Sequence, residues 1–292
     1  DNFINDTINY KYYSVNKNTT WTNDLPHVIY GQVVIEPGVE LIIEEGTKIY
    51  FHYNSGIIVG NPIYANNTGS SLKIKGKINN KVILQGDRFD TWYQDSPGQW
   101  NKIWMTPGSI NNEIDYAIIR NGSIGIHVDT IGNNQPTLTI QNSIIENMSN
   151  IGILGQGTHI EANNTVISKC GQYTLACNIG GNYNFTHCTF ANYWNYGQSG
   201  SRNTPSILLN NYYEGADGSI YIRDLESANF TNCIIYGSLS TEISLQEDKS
   251  GVFNYLFDHS LIKISPNENT NSIHYNKIIK NQDPKFVNIE EN

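Results

Sequence analysis

The sequence predicts an all-β fold, a single-stranded right-handed parallel β-helix of about ten coils. Three observations carry this: a composition of strand and turn formers, a recurring six-residue pattern, and short strand-like runs punctuated by glycine. In 292 residues there are 41 Ile and 41 Asn, against 7 Ala and 14 Leu. Ile is stiff at its first torsion and favours strands, whereas Ala and Leu favour helices. Asn favours turns and tolerates left-handed backbone. With 25 Gly, the chain reads as many short strands joined by tight bends. An aromatic fraction of 11% and regular apolar alternation separate it from a disordered chain.

The repeat gives the architecture. Its pattern is apolar, any, Asn or His, small, any, then Ile or Phe. It reads Ile140-Gln-Asn-Ser-Ile-Ile145, Ala162-Asn-Asn-Thr-Val-Ile167 and Phe185-Thr-His-Cys-Thr-Phe190. It returns at Phe230–Ile235 and Phe257–Ile262, with a degenerate copy at Ile114–Ile119. The third positions are 26, 22, 23, 45 and 27 residues apart. That period is short for ankyrin or tetratricopeptide units, and no Leu-x-x-Leu-x-Leu frame supports a leucine-rich repeat. One turn of a β-helix fits it. The 45-residue interval reads as one coil carrying insertions. Further strands fall at 33–35, 39–43, 47–51, 56–59, 72–74 and 82–84, with Gly38, Gly46, Gly60, Gly76 and Gly86 near their ends.

Each column of the repeat takes a physical role. Side chains alternate along a strand, so the first position points inward. After the corner residue the phase resets, and the fourth and sixth positions face the core. Stacked coils place like on like about 4.8 Å apart. Asn142, Asn164 and Asn232 are then expected to form an amide ladder at a bend, with His187 and His259 as members of the same column. Cys188 and Cys233 share an inward column, as two buried thiols or as a disulfide. The four cysteines lack a Cys-x-x-Cys spacing, so no zinc site is expected.

At this point the residues resemble a known group. The run Pro37-Gly38-Val39-Glu40-Leu41-Ile42-Ile43-Glu44-Glu45-Gly46-Thr47-Lys48-Ile49-Tyr50-Phe51 is similar to opening coils of the pectin-lyase-like right-handed parallel β-helix superfamily. More narrowly it resembles those of secreted β-helix lipoproteins of Bacteroidetes. So do Gly98-Gln99-Trp100-Asn101-Lys102-Ile103-Trp104 and the closing Asp283-Pro284-Lys285-Phe286-Val287. The resemblance implies a secreted, periplasmic or outer-membrane lipoprotein, with a signal peptide and lipidated cysteine preceding Asp1. It is specific for fold and weak for activity.

Composition narrows the partners. There are 18 Lys and Arg against 27 Asp and Glu, a net charge of −9, which argues against nucleic acid. No run of about 18 apolar residues crosses a membrane, so membrane contact is expected only through the lipid anchor. A monomer without cofactor or metal is expected.

In a solenoid the walls are structural and the inserted loops carry function. Residues 1–27 are expected to cap a β-helix over 28–292, with insertions near 86–100 and 193–226. The first insertion offers Asp87, Arg88, Asp90, Trp92, Tyr93, Asp95 and Trp100. The second offers Tyr193, Trp194, Tyr196 and Arg202, and the third Tyr212, Tyr213 and Glu214, followed by Arg223 and Asp224. Aromatic rings stack on apolar sugar faces while polar groups take the hydroxyls, so these residues are the expected glycan-binding set. Arg223 and Asp224 are the candidate catalytic pair, although neighbours on a strand tend to face opposite sides.

The Asn-Thr-Asp, Asp-Asp, Gly-His-Gly and Arg-Ile-Lys signatures of galacturonan hydrolases in the superfamily do not occur in this chain. No calcium cluster of the pectate lyase kind stands out, and there is no Gly-x-Ser-x-Gly elbow. Three readings follow: a secreted or cell-surface glycan-binding protein, a polysaccharide lyase or glycoside hydrolase, and a structural adhesin.

Overall fold

A computed structural model describes residues 3–5, 11–63, 68–129, 135–195 and 202–289. These residues form a parallel β-helix with a three-sided cross-section. Each coil contributes a strand to a first, a second and a third face in turn. Gln32–Ile35, Glu40–Glu44 and Lys48–Phe51 are one such coil, and Gly56–Val59, Ser71–Lys75 and Val82–Gly86 the next. Successive strands on each face pair in parallel. The strands Ile151–Asn163 and Leu175–Thr186 run through a corner and belong to the first and second faces at once.

The inward columns follow the repeat. On the second face the first-position column pairs Trp21, Ile43, Ile74, Ile114, Ile140, Ala162, Phe185, Phe230, Phe257 and Tyr275 in unbroken register, one residue from each of ten coils. Its aromatic end is a stack inside the solenoid, with Phe230 at 5.1 Å from Phe185 and 5.0 Å from Phe257. The fourth and sixth positions are buried from Ala117 and Ile119 through Ser260 and Ile262. The 45-residue interval is one coil, because Phe185 pairs directly with Phe230.

The corner between the second and third faces is turned by one left-handed residue. Tyr116, Asn142, Asn164, His187, Asn232 and His259 have φ between +46° and +54°, which side chains without β-branching tolerate best and Asn best of all. The amide ladder is shorter than the sequence suggests. Asn164 Nδ2 donates to Asn142 Oδ1 at 2.8 Å, and Asn142 Nδ2 donates to Asp115 Oδ1 at 2.9 Å. His259 keeps the corner backbone but its Nδ1 meets Asp258 at 2.8 Å. A second ladder, Asn229 to Asn184 to Glu161, runs along the outer second face with both bonds at 2.8 Å.

One boundary differs from the expectation. Lys11–Val15 and Thr19–Trp21 already pair as rungs of the first and second faces, so the solenoid starts within the segment expected as a cap. All four cysteines are free and buried, and of the two readings for Cys188 and Cys233 the structure has the thiols, side by side in neighbouring coils.

Candidate functional site

The corner from the third face to the first carries the first insertion, residues 87–102. It is pinned along the coils that follow. Asn121 Nδ2 donates to Gln94 O and Asn147 Nδ2 to Asp95 O, both at 2.7 Å. Gln99 N and Gly98 N donate to Asn121 O and Gly122 O. This fixed base presents an exposed aromatic ridge. Trp92 is 89% exposed, Tyr53 69% and Tyr30 66%, with Phe89 and Tyr93 also at the surface. Tyr30 stacks on His52 at 4.5 Å, and His52 Nδ1 lies 2.9 Å from Asp87 Oδ2. Arg88 Nε donates to Asp90 Oδ2 at 3.0 Å while its guanidinium lies 3.9 Å over the Tyr93 ring. Phe89 meets Tyr50 edge-on at 4.8 Å.

Trp100, expected among the ligand contacts, is part of the core instead. It is 1% exposed and stacks on Phe51 at 4.4 Å, and its Nε1 donates to Arg120 O at 2.8 Å. The chain must re-enter the first face at Ile103, and Gly122 leaves the ring its space: a Cβ there would stand 2.8 Å from Trp100 Cε2.

The ridge leads onto a groove on the outer first face. Gln32 Nε2 donates to Asn54 O at 2.7 Å and Asn101 N to Ser55 O at 2.8 Å, joining the two. The groove has a volume of about 420 Å³ and walls that include Val34, Ile58, Pro62, Ile63 and Trp104. At its edge Lys102 Nζ donates to His127 Nδ1 at 3.0 Å and lies 4.9 Å over the Trp104 ring. The imidazole stacks on Trp104 at 5.8 Å, and its Nε2 meets Gln156 Oε1. With Nδ1 accepting, Nε2 carries the proton and the ring is neutral. Burial, reinforced by the Lys102 charge, lowers the His127 pKa, and burial lowers that of Lys102, opposed by Asp129. Trp104 Nε1 is enclosed with no hydrogen-bond partner among the described residues.

None of these groove residues stands out in the sequence, where the walls of a solenoid read as structural. The available signal was alternation: Ile103 and Met105 are buried in the core, so Lys102 and Trp104 must face out.

The other expected residues form separate clusters. Tyr193 meets Phe286 edge-on at 6.2 Å, and burial pushes its hydroxyl up to about 12. Trp194 lies over Gly171, where a Cβ would be 3.3 Å from its Cζ2. Gly171 also abuts Ser149, which in turn touches Gly98 of the first insertion, so Trp194 continues the same corner. Tyr196 lies outside the described residues. Arg202 is a correction: it is buried in an ion pair with Glu242, with Nη2 to Oε1 at 2.7 Å and both side chains 0% exposed. A buried guanidinium bonded through both terminal nitrogens, with Nε unbonded among the described residues, holds the insertion down and is closed to ligand.

Tyr212–Glu214 and Ile220–Ile222 form an antiparallel hairpin at the other end of the first-face strand, with Tyr213 stacked on Tyr221 at 4.8 Å. Asp224 Oδ1 accepts from Val252 N at 2.8 Å, which gives it a loop-holding role, while Arg223 lies against Gly157. No ion pair joins Arg223 to Asp224 among the described residues. Nor do three or more His, Cys, Asp or Glu gather there in a way that would hold a metal ion.

No family model and no curated protein matches the chain. The solved structure of the Streptococcus pneumoniae surface protein and adhesin PfbA aligns over 92% of this chain and 88% of that one, at 11% identity and a TM-score of 0.30. A likeness of that degree adds nothing to the fold described above.

Proposed function

We propose that this chain is a secreted or cell-surface protein that binds a glycan on the ridge formed by Tyr30, Tyr53, Phe89, Trp92 and Tyr93. One observation carries the reading: a nearly fully exposed tryptophan sits on a loop that two asparagine side chains fix to the solenoid. Large exposed rings lose apolar hydration when a partner covers them. Sugar rings offer the matching C–H faces, and Asp87, Arg88 and Asp90 supply acceptors and donors for hydroxyls. A platform already ordered before binding loses little entropy on association.

The test is a polysaccharide panel read by thermal shift and by new reducing ends or ultraviolet-absorbing products. Binding of one glycan, weakened by Trp92→Ala with the melting temperature unchanged, supports the reading. Turnover would make the chain a lyase or hydrolase, and its loss in Arg223→Ala or Asp224→Ala would put the chemistry at the third insertion. Silence in every readout would favour the structural adhesin. Cell fractionation of the full-length protein tests the surface, periplasmic and lipoprotein locations.

A further inference from the structure

The groove on the first face has a chemistry of its own. Its walls are apolar: Val34, Ile58, Pro62 and Ile63 face the ring of Trp104 across a volume of about 420 Å³. Such a space takes a body of about a dozen non-hydrogen atoms. Its polar edge supplies a donor without a matching acid. Lys102 spends one of its three N–H donors on His127, and no carboxylate among the described residues bonds it.

The surrounding charges leave that cation without a bonded carboxylate among the described residues. Glu36, on the neighbouring corner, accepts from Ser14 Oγ at 2.7 Å and from Asn61 Nδ2 at 3.2 Å. Asp129 acts on Lys102 and His127 only through space. His127 gives its remaining proton to Gln156. Tyr12 borders the groove. A cation half removed from water and lacking a carboxylate is costly to the fold. Trp104 Nε1 is a second donor left unmet in the same wall.

We propose that this groove binds a small hydrophobic carboxylic acid, its aryl or alkyl body against Trp104, Ile58 and Ile63 and its carboxylate on Lys102. The ligand supplies the two things the site lacks, an apolar filling and a counter-charge. This site is separate from the glycan ridge and does not depend on it.

Indole-3-propionate and decanoate are the probes, each beside its neutral amide, with affinities measured by calorimetry on the whole chain. At least one acid is expected to bind about tenfold or more tightly than its amide, the range of a charge-assisted hydrogen bond. Lys102→Met is expected to bring that acid down to the level of the amide, and Lys102→Arg to keep the preference. Ile58→Asp is expected to abolish binding of both forms, and Trp92→Ala to leave both unchanged. Melting curves confirm that each variant is folded. Equal binding of acid and amide, a preference that survives Lys102→Met, or no binding of either acid would overturn the proposal. A third arm uses a peptide ending in a free tryptophan carboxylate. Binding of that peptide alone would likewise overturn the small-acid reading.

Discussion

Glutamine in place of Glu242 changes the side chain by one atom type and removes one charge from a site with no solvent. Glu242 accepts from Arg202 Nη2 at 2.7 Å and Nη1 at 2.8 Å, and also from Ser206 N and Leu239 N at 2.8 Å. Arg202 in turn donates to Asn192 O at 2.7 Å and to Thr204 O. The pair therefore joins the insertion bearing Tyr193 and Trp194 to two successive coils. Glu242→Gln leaves a buried guanidinium without a counter-charge, a change that costs about 3–5 kcal/mol. Arg202→Met strands a buried carboxylate and costs a similar amount. The double variant is expected to lose less than the sum of the two, because neither charge is left alone and the glutamine still accepts from Ser206 N or Leu239 N. Solenoid stability is largely a sum of neighbouring-coil terms, so the loss can be local. Urea unfolding should therefore be paired with hydrogen exchange at residues 202–209 and 238–243. A Glu242→Gln protein within about 1 kcal/mol of the parent, with unchanged exchange at Ser206 and Leu239, would refute this account of the lock.

Three further outcomes follow from the same geometry. Phe230→Ala, at the middle of the internal aromatic stack with no exposed surface, is expected to destabilise by about 3–5 kcal/mol in denaturant titration; a loss below about 1 kcal/mol would contradict the stack. His127 has its pKa lowered by burial and by Lys102, so the unfolded chain binds its proton first as pH falls. The stability contributed by neutral His127 is complete above its ordinary value of 6.5 and declines as pH drops from there toward the lower folded value. Melting temperatures from pH 8 to 5 should fall less steeply for His127→Gln, and parallel curves would refute the assignment. The four cysteines are buried, with Cys170 pushed up to about 12 and Cys177 well above its usual range by desolvation. Iodoacetamide at pH 8 is expected to leave the native chain unlabelled and to alkylate it in denaturant, read by intact mass.

The solenoid was legible because its period is written in residues that have few other uses. A left-handed corner flanked by inward apolar positions demands Asn or a similar residue at one place and a small residue after it, and the text repeats that demand. The outward fifth position was less legible. It carries Ile83, Ile118, Ile144, Val166, Thr189, Ile234, Leu261 and Ile279 in register along the third face, apolar in all but one rung, yet once the inward columns are filled nothing requires it to be so. The insertions were legible as departures from the period, but their fates were not. Trp92 and Trp100 occupy one 16-residue segment, and one is in solvent while the other lies on Phe51. What separates them is Gly122, a residue of the next corner. Arg202 is separated from its acid by 40 residues, an offset the broken period does not supply.

The groove shows where alternation alone stops and register begins. Period two already places Lys102 and Trp104 on the outside of their strand, because Ile103 and Met105 fill the core. It does not say which outward residue lies beside them. That residue is His127, which pairs with Trp104 in the adjacent rung, 23 positions on. The corresponding offset back to Ile58 is 46, because the first insertion and the long connections from Val59 to Ser71 and from Lys75 to Val82 all intervene. A constant period would have brought Ile58, Trp104 and His127 together on paper. The insertion that supplies the aromatic ridge also disguises the groove beside it. In a solenoid, then, the residues most worth testing are outward ones on the rungs that flank an insertion. Their neighbours are hidden from the sequence, and the insertion has already given that wall an edge against which a ligand can rest.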